Sequence, residues 1–203
     1  MSTASQRAVP AGFQRSVQAI AIGASAGGVE ALLALLSGLP ASFNIPIVVV
    51  LHQAEDRDSV LAEVFAGRTS LRVRQAADKE AMETGNLYFA PPGYHLLLEA
   101  DRGLSLSCDA PVHFSRPSID VFFESAADAL HCGLAAILLT GANEDGAAGL
   151  AHAARLGGLT VVQDPQEASS PQMPLAALAL HAPDFVLPLR DIHQLITQLQ
   201  VLP

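Results

Sequence analysis

From residue 17 onward the chain alternates short, almost wholly apolar runs with amphipathic stretches, and that rhythm leaves few folds open. Runs too short for a helix and apolar at nearly every position read as strands buried on both faces; strands separated by helices pair in parallel. The alternation predicts strands at 17–23, 46–52 and 71–76, with helices at 27–37 and 59–66 between them. After Arg116-Pro117-Ser118 it predicts helices at 119–131, 147–155, 174–180 and 191–199, and strands at 134–140, 159–163 and 185–187. Ser118 is placed to cap the first of these helices, and Gly157-Gly158 to close the second. Between the two halves, 85–93, 94–99 and 104–108 read as short strands joined by tight turns, an antiparallel hairpin insertion. The expected fold class is α/β, a three-layer, doubly wound, mostly parallel sheet with that β-hairpin inserted.

Length and charge narrow the function classes. A chain of 203 residues, 50% hydrophobic and 15% charged, buries one sizeable core. We expect one domain over 16–203, preceded by a disordered leader over 1–15 of mixed Ser, Ala, Gln and Pro. The formal net charge of −9 argues against nucleic acid or an anionic membrane surface as partner. Arg68, Arg72, Arg74 and Lys79 form the one local basic cluster, a solvated strand edge or a docking patch. Cys108 and Cys132 have neither C-x-x-C pairing nor zinc-type spacing, so no disulfide and no metal is expected. Without a signal pattern or an apolar run of about 18 residues, no membrane insertion is expected and a cytoplasmic location is. The oligomeric state is not legible.

Ligands of open parallel sheets bind outside the carboxyl ends of the strands, so the residues of interest stand where an apolar run stops. Ser25 stands at the tip of Gly23-Ala24-Ser25-Ala26-Gly27-Gly28, a glycine-rich turn between a strand and a helix. Such a turn presents a side-chain oxygen together with unpaired backbone N–H groups, suited to a developing oxyanion or to a phosphate. His52 ends Ile47-Val48-Val49-Val50-Leu51, and Asp145 follows Leu138-Leu139-Thr140-Gly141-Ala142-Asn143-Glu144. Asp145 is equally placed to cap the helix at 147–155. Together the three supply a nucleophile, a base and an orienting acid. Gly23-Ala24-Ser25-Ala26-Gly27 matches G-x-S-x-G, but the order Ser, His, Asp is not that of the α/β-hydrolases. A dinucleotide-binding reading fits less well, since Ser25 replaces the second glycine and His52 stands where an acidic ribose partner would be.

Further segments join these: Tyr88-Phe89-Ala90-Pro91-Pro92, Ser115-Arg116-Pro117-Ser118-Ile119-Asp120, Gly146-Ala147-Ala148-Gly149 and Met173-Pro174. In this order they closely resemble the CheB family of chemotaxis protein-glutamate methylesterases, from about residue 17 to 199. The resemblance implies a catalytic triad of Ser25, His52 and Asp145, no cofactor, and hydrolysis of glutamate γ-methyl esters, with glutamine deamidation as a related activity. The implied partner is the methylated cytoplasmic domain of a chemoreceptor. Backbone N–H groups of Ala26, Gly27, Gly141 or Ala142 are candidates for the oxyanion hole, and Arg116 for substrate binding. Many relatives carry a receiver domain ahead of this one; the leader expected over 1–15 is too short to be one, so phosphorylation control within the chain is not expected. The family commonly has a hydroxyl residue and a methionine where this chain has Ala26 and Ala142, which alters the pocket wall. A non-catalytic docking protein of the same fold is the alternative.

Overall fold

The computed structural model describes residues 9–10, 12–53 and 61–201. The chain runs β1 (Arg15–Val17), β2 (Ala19–Ala24), α1 (Gly28–Leu36), β3 (Ile47–Leu51), α2 (Leu61–Phe65), β4 (Arg72–Gln75), β5 (Glu80–Ala81) and β6 (Asn86–Phe89). There follow β7 (His95–Leu98), β8 (Gly103–Ser107), α3 (Ile119–Leu130), a 3₁₀ turn (His131–Gly133), β9 (Leu134–Leu138) and α4 (Ala147–Arg155). The chain ends with β10 (Leu159–Gln163), α5 (Gln172–Leu180), β11 (Phe185–Leu187), α6 (Leu189–Gln198) and β12 (Leu199–Val201).

The main sheet has seven strands in the order β11-β10-β9-β2-β3-β6-β4, every neighbouring pair parallel. Its central strands are apolar at every position because both faces are covered. Ile20, Ile22, Val49 and Ile137 face a layer built from α1, α2 and α6. Ala21, Val48, Val50 and Leu138 alternate with them and face α3, α4 and α5. That period-two division is the sheet pleat read out as two cores. The chain leaves β2 toward β3 and returns to β2's other side as β9, so a crevice opens between the carboxyl ends of β2 and β9.

The antiparallel insertion is present as β7 and β8, with β5 added beside β8. The expected hairpin strand at 85–93 belongs elsewhere: β6 lies in the main sheet between β3 and β4. Its four residues are all buried, as a central parallel strand requires. β1 and β12 form a small parallel pair that the apolar pattern did not signal. Residues 1–8 of the expected leader, and the start of the expected helix at 59–66, lie outside the described residues. At the leader's described end, Phe13 packs edge-on against Phe185 with ring centroids 5.4 Å apart, so the core begins before residue 17. β4 forms a sheet edge, with Arg74 paired to Glu80 and its guanidinium over the Tyr88 ring. Charges along an edge strand discourage pairing with another chain.

Candidate active site

β2 stops at Ala24, and Ser25 is locked into the turn beyond it. Its N–H donates to the Thr140 carbonyl at 2.9 Å, and its own carbonyl accepts from Gly28 N–H at 2.8 Å. Gly27 holds φ at +76° at the N-cap of α1, a left-handed conformation that glycine adopts at least cost. A Cβ on Gly27 would sit 2.7 Å from the Ser169 Cβ. Thr140 clamps the turn from the neighbouring strand: its Oγ1 donates to the Ala26 carbonyl at 2.8 Å and accepts from Ser170 N–H at 2.8 Å.

His52 follows β3, the strand beside β2, and its N–H donates to the Ala24 carbonyl at 3.2 Å. That bond sets the imidazole alongside the serine. Ser25 Oγ lies 3.2 Å from His52 Nδ1, while His52 Nε2 lies 2.7 Å from Asp145 Oδ2. The pattern fits a neutral ring with its proton on Nε2, donating to the carboxylate and accepting from the serine hydroxyl. Ser115 Oγ is a second hydroxyl at Nδ1, at 3.4 Å.

Asp145 does not cap α4. Gly146 occupies that N-cap position, with φ +92° and no side-chain cap bond, and the Asp145 carboxylate turns to the start of α3 instead. There Oδ2 accepts from Ile119 N–H at 2.7 Å, and Oδ1 from Asp120 N–H at 3.0 Å and Ser118 Oγ at 2.8 Å. Ser118 does cap α3, accepting from Val121 N–H. Asp145 is fully buried, which by itself would raise its pKa. The donors from His52, Asp120, Ile119 and Ser118 outweigh burial and hold the carboxyl below its ordinary value. It is therefore held as an anion beside the imidazole.

Asp120, one residue into α3, is the opposite case. Burial pushes its pKa up to about 6, the Asp145 charge adds to the rise, and the Gly149 N–H bond and His113 oppose it. His113 lies between two carboxylates, with Nε2 3.4 Å from Asp120 Oδ2 and Nδ1 3.3 Å from Glu144 Oε1. Among the described residues, no group of three or more His, Cys, Asp or Glu side chains is arranged to hold a metal ion.

Ser25, His52 and Asp145, selected because apolar runs stop there, thus converge at the ends of three adjacent strands, β3, β2 and β9. The other expected site residues divide. Ala26 and Gly27 open α1 beside the serine hydroxyl. Gly141 N–H is taken by the Ser170 carbonyl at 3.0 Å, which removes it as an oxyanion donor and leaves Ala142 as that turn's candidate. Arg116 Nη1 donates to the Cys108 and Asp109 carbonyls at 3.2 Å, so it braces the end of the insertion next to Ser115. Thr140, Ser115 and His95 were given no role by the sequence. His95 is buried; it accepts from Ser118 N–H at Nδ1 and donates from Nε2 to the Ala110 carbonyl, tying the start of α3 to the insertion. Only Ser118 announced itself, through its place before a helical run.

The geometry of a serine hydrolase is matched by similarity over most of the chain. Residues 20–196 match the family profile described as CheB methylesterase. A Leptospira interrogans protein, provisionally named a protein-glutamate methylesterase/protein-glutamine glutaminase, is 43% identical over 90% of this chain and 94% of its own length. Protein-glutamate methylesterase/protein-glutamine glutaminase 1 of Pseudomonas fluorescens is 37% identical over 94% of this chain, which spans 57% of that longer protein. The crystal structure of the Thermotoga maritima CheB methylesterase catalytic domain superposes with a TM-score of 0.85 and 30% identity, covering 90% of this chain and 98% of that one. The profile match, the relatives and the shared fold agree: the chain belongs to the CheB methylesterase family.

Proposed function

We propose that this chain hydrolyses the γ-methyl ester of methylated glutamate side chains on chemoreceptors, through Ser25, His52 and Asp145. The observation that carries the reading is the hydrogen-bonded series Ser25 Oγ, His52 Nδ1, His52 Nε2, Asp145 Oδ2. His52 Nδ1 takes the Ser25 proton as Oγ attacks the ester carbonyl carbon, and Asp145 stabilises the resulting imidazolium. The oxyanion is held by N–H groups of Ala26 and Gly27 at the start of α1, with Ala142 opposite. Collapse breaks the acyl–oxygen bond and expels methoxide, which leaves as methanol with the proton from His52. A water molecule, deprotonated by the same imidazole, then releases glutamate and regenerates Ser25. Deamidation of glutamine is the same acyl chemistry with ammonia leaving, and the relatives' double name supports it as a second activity. The substrate lies on the cytoplasmic part of the receptor, so the chain acts in the cytoplasm.

A phosphate cradle or a docking protein without turnover would leave the Ser25–His52–Asp145 alignment, and four donors on one buried carboxylate, without a purpose. Methanol release from a methylated receptor cytoplasmic fragment tests the proposal. The wild-type protein releases methanol and Ser25→Ala does not; no release by the wild type, or equal release by both, overturns it.

A further inference from the structure

We propose that the turn at 112–115 reads the substrate protein, with Phe114 projecting from it to hold an apolar side chain next to the esterified glutamate. The inference rests on the methylesterase reading above and names a specificity-determining residue for it.

Phe114 has a relative exposure of 105%, so its ring takes no part in the core. A single exposed apolar residue is ordinary; its backbone setting is not. Val112 and Ser115 bond each other through both N–H and C=O groups, making a two-residue hairpin turn. The two residues at its tip, His113 and Phe114, hold φ at +49° and +60°. Asn-Gly or Gly-Gly would meet that demand at little cost, whereas bulky side chains meet it against their own sterics. Strain of this kind persists where the surroundings hold it in place and is found at functional sites.

The surroundings do hold it. His113 is gripped between Asp120 and Glu144, and Ser115 Oγ stands 3.4 Å from His52 Nδ1. Phe114 is therefore one residue from a side chain that stands beside the His52 imidazole, on the turn where the proposal has the substrate chain cross. His113 also lines a crevice of about 260 Å³, which has Asp120 and Glu144 beside it and Ala148, Ala176, Ala179 and Leu180 among its apolar lining. A rigid aromatic ring supplies local apolar contact to a partner at small entropic cost.

The test compares two substrates, a methylated receptor cytoplasmic fragment and a small N-acyl glutamate γ-methyl ester, using wild type, Phe114→Gly, Phe114→Ala and Phe114→Tyr. The expected result is a fall in kcat/KM on the protein substrate for the Gly and Ala variants at least ~10-fold larger than on the small ester, carried by KM, with Tyr close to wild type. Phe114→Gly keeps or raises Tm by roughly 2–4 °C, because glycine accepts the left-handed conformation. Equal losses on both substrates, or a fall in Tm, show that Phe114 is structural and overturn the inference. So does an unchanged rate on the protein substrate, including the case where the variant converts a dimer to a monomer, which makes Phe114 a self-association residue. If the wild type fails on the receptor fragment, the methylesterase reading falls and takes this inference with it; if the wild type turns over and Phe114→Gly matches it, the inference alone falls.

Discussion

Ser25 and His52 are joined by one hydrogen bond, and a proton transferred along it belongs to neither residue alone. Ser25→Ala and His52→Ala each lower ester hydrolysis by on the order of 10³-fold or more, and the double variant is little worse than either. Steady-state rates on one small ester check this, and additive losses contradict it. Asp145→Asn costs less than loss of the serine, because it misorients the base without removing the nucleophile. The two buried carboxyls act on stability with opposite signs. Asp145 is held below its ordinary value of 3.8, so its contribution is fully present above that value and is lost as pH falls through the still lower folded value. Asp120 is raised from 3.8 to about 6, so the folded protein binds its proton more tightly, and stability declines as pH rises from near 4 to near 6. The size is on the order of 2–3 kcal/mol. Asp120→Asn can keep the acceptor for Gly149 N–H while removing the ionisation. We expect it to raise Tm above pH 7 and to flatten the pH 4–6 limb; thermal melts across that range decide, and a lowered Tm at pH 7.5 contradicts it.

The N-terminus of α3 is the element on which the site depends, since it supplies three of the four groups that hold Asp145. Ser118 does two jobs there, capping the helix and donating to the carboxylate. Ser118→Ala is expected to cost about 1 kcal/mol for the lost cap, read as a Tm lower by roughly 2–4 °C. Looser support for Asp145 lowers kcat by about 10-fold while KM changes little. Ser118→Thr restores both; loss of Tm with kcat intact would separate the cap from the site. At this scale the sequence was legible wherever an element announces itself locally. Apolar runs marked β2, β3, β9 and β10 and their carboxyl ends, and Ser118 marked its own cap. What it hid depends on distant partners. β1 and β12 are three residues each and have meaning only once residues 15–17 and 199–201 meet. The direction in which Asp145 points, away from α4 and onto α3, follows from packing between elements, and so does the commitment of Gly141 N–H to Ser170.

Across the whole molecule, the site exists only when the sheet is complete. Its three residues come from positions 25, 52 and 145, brought together because β9 returns to pair with β2 on the side away from β3. The first half of the chain carries Ser25 and His52 at the ends of the paired strands β2 and β3 but not Asp145, so the complete triad, and activity with it, should be lost together with the global fold on unfolding. The central claim is that this assembly makes Ser25, of all the hydroxyl groups in the chain, a nucleophile. Covalent labelling with a fluorophosphonate, followed by peptide mass mapping, tests it most directly. The account predicts one adduct, on Ser25, formed far more slowly in His52→Ala and not at all in Ser25→Ala; a wild-type protein that releases methanol yet remains unlabelled, or is labelled at another residue, would contradict it.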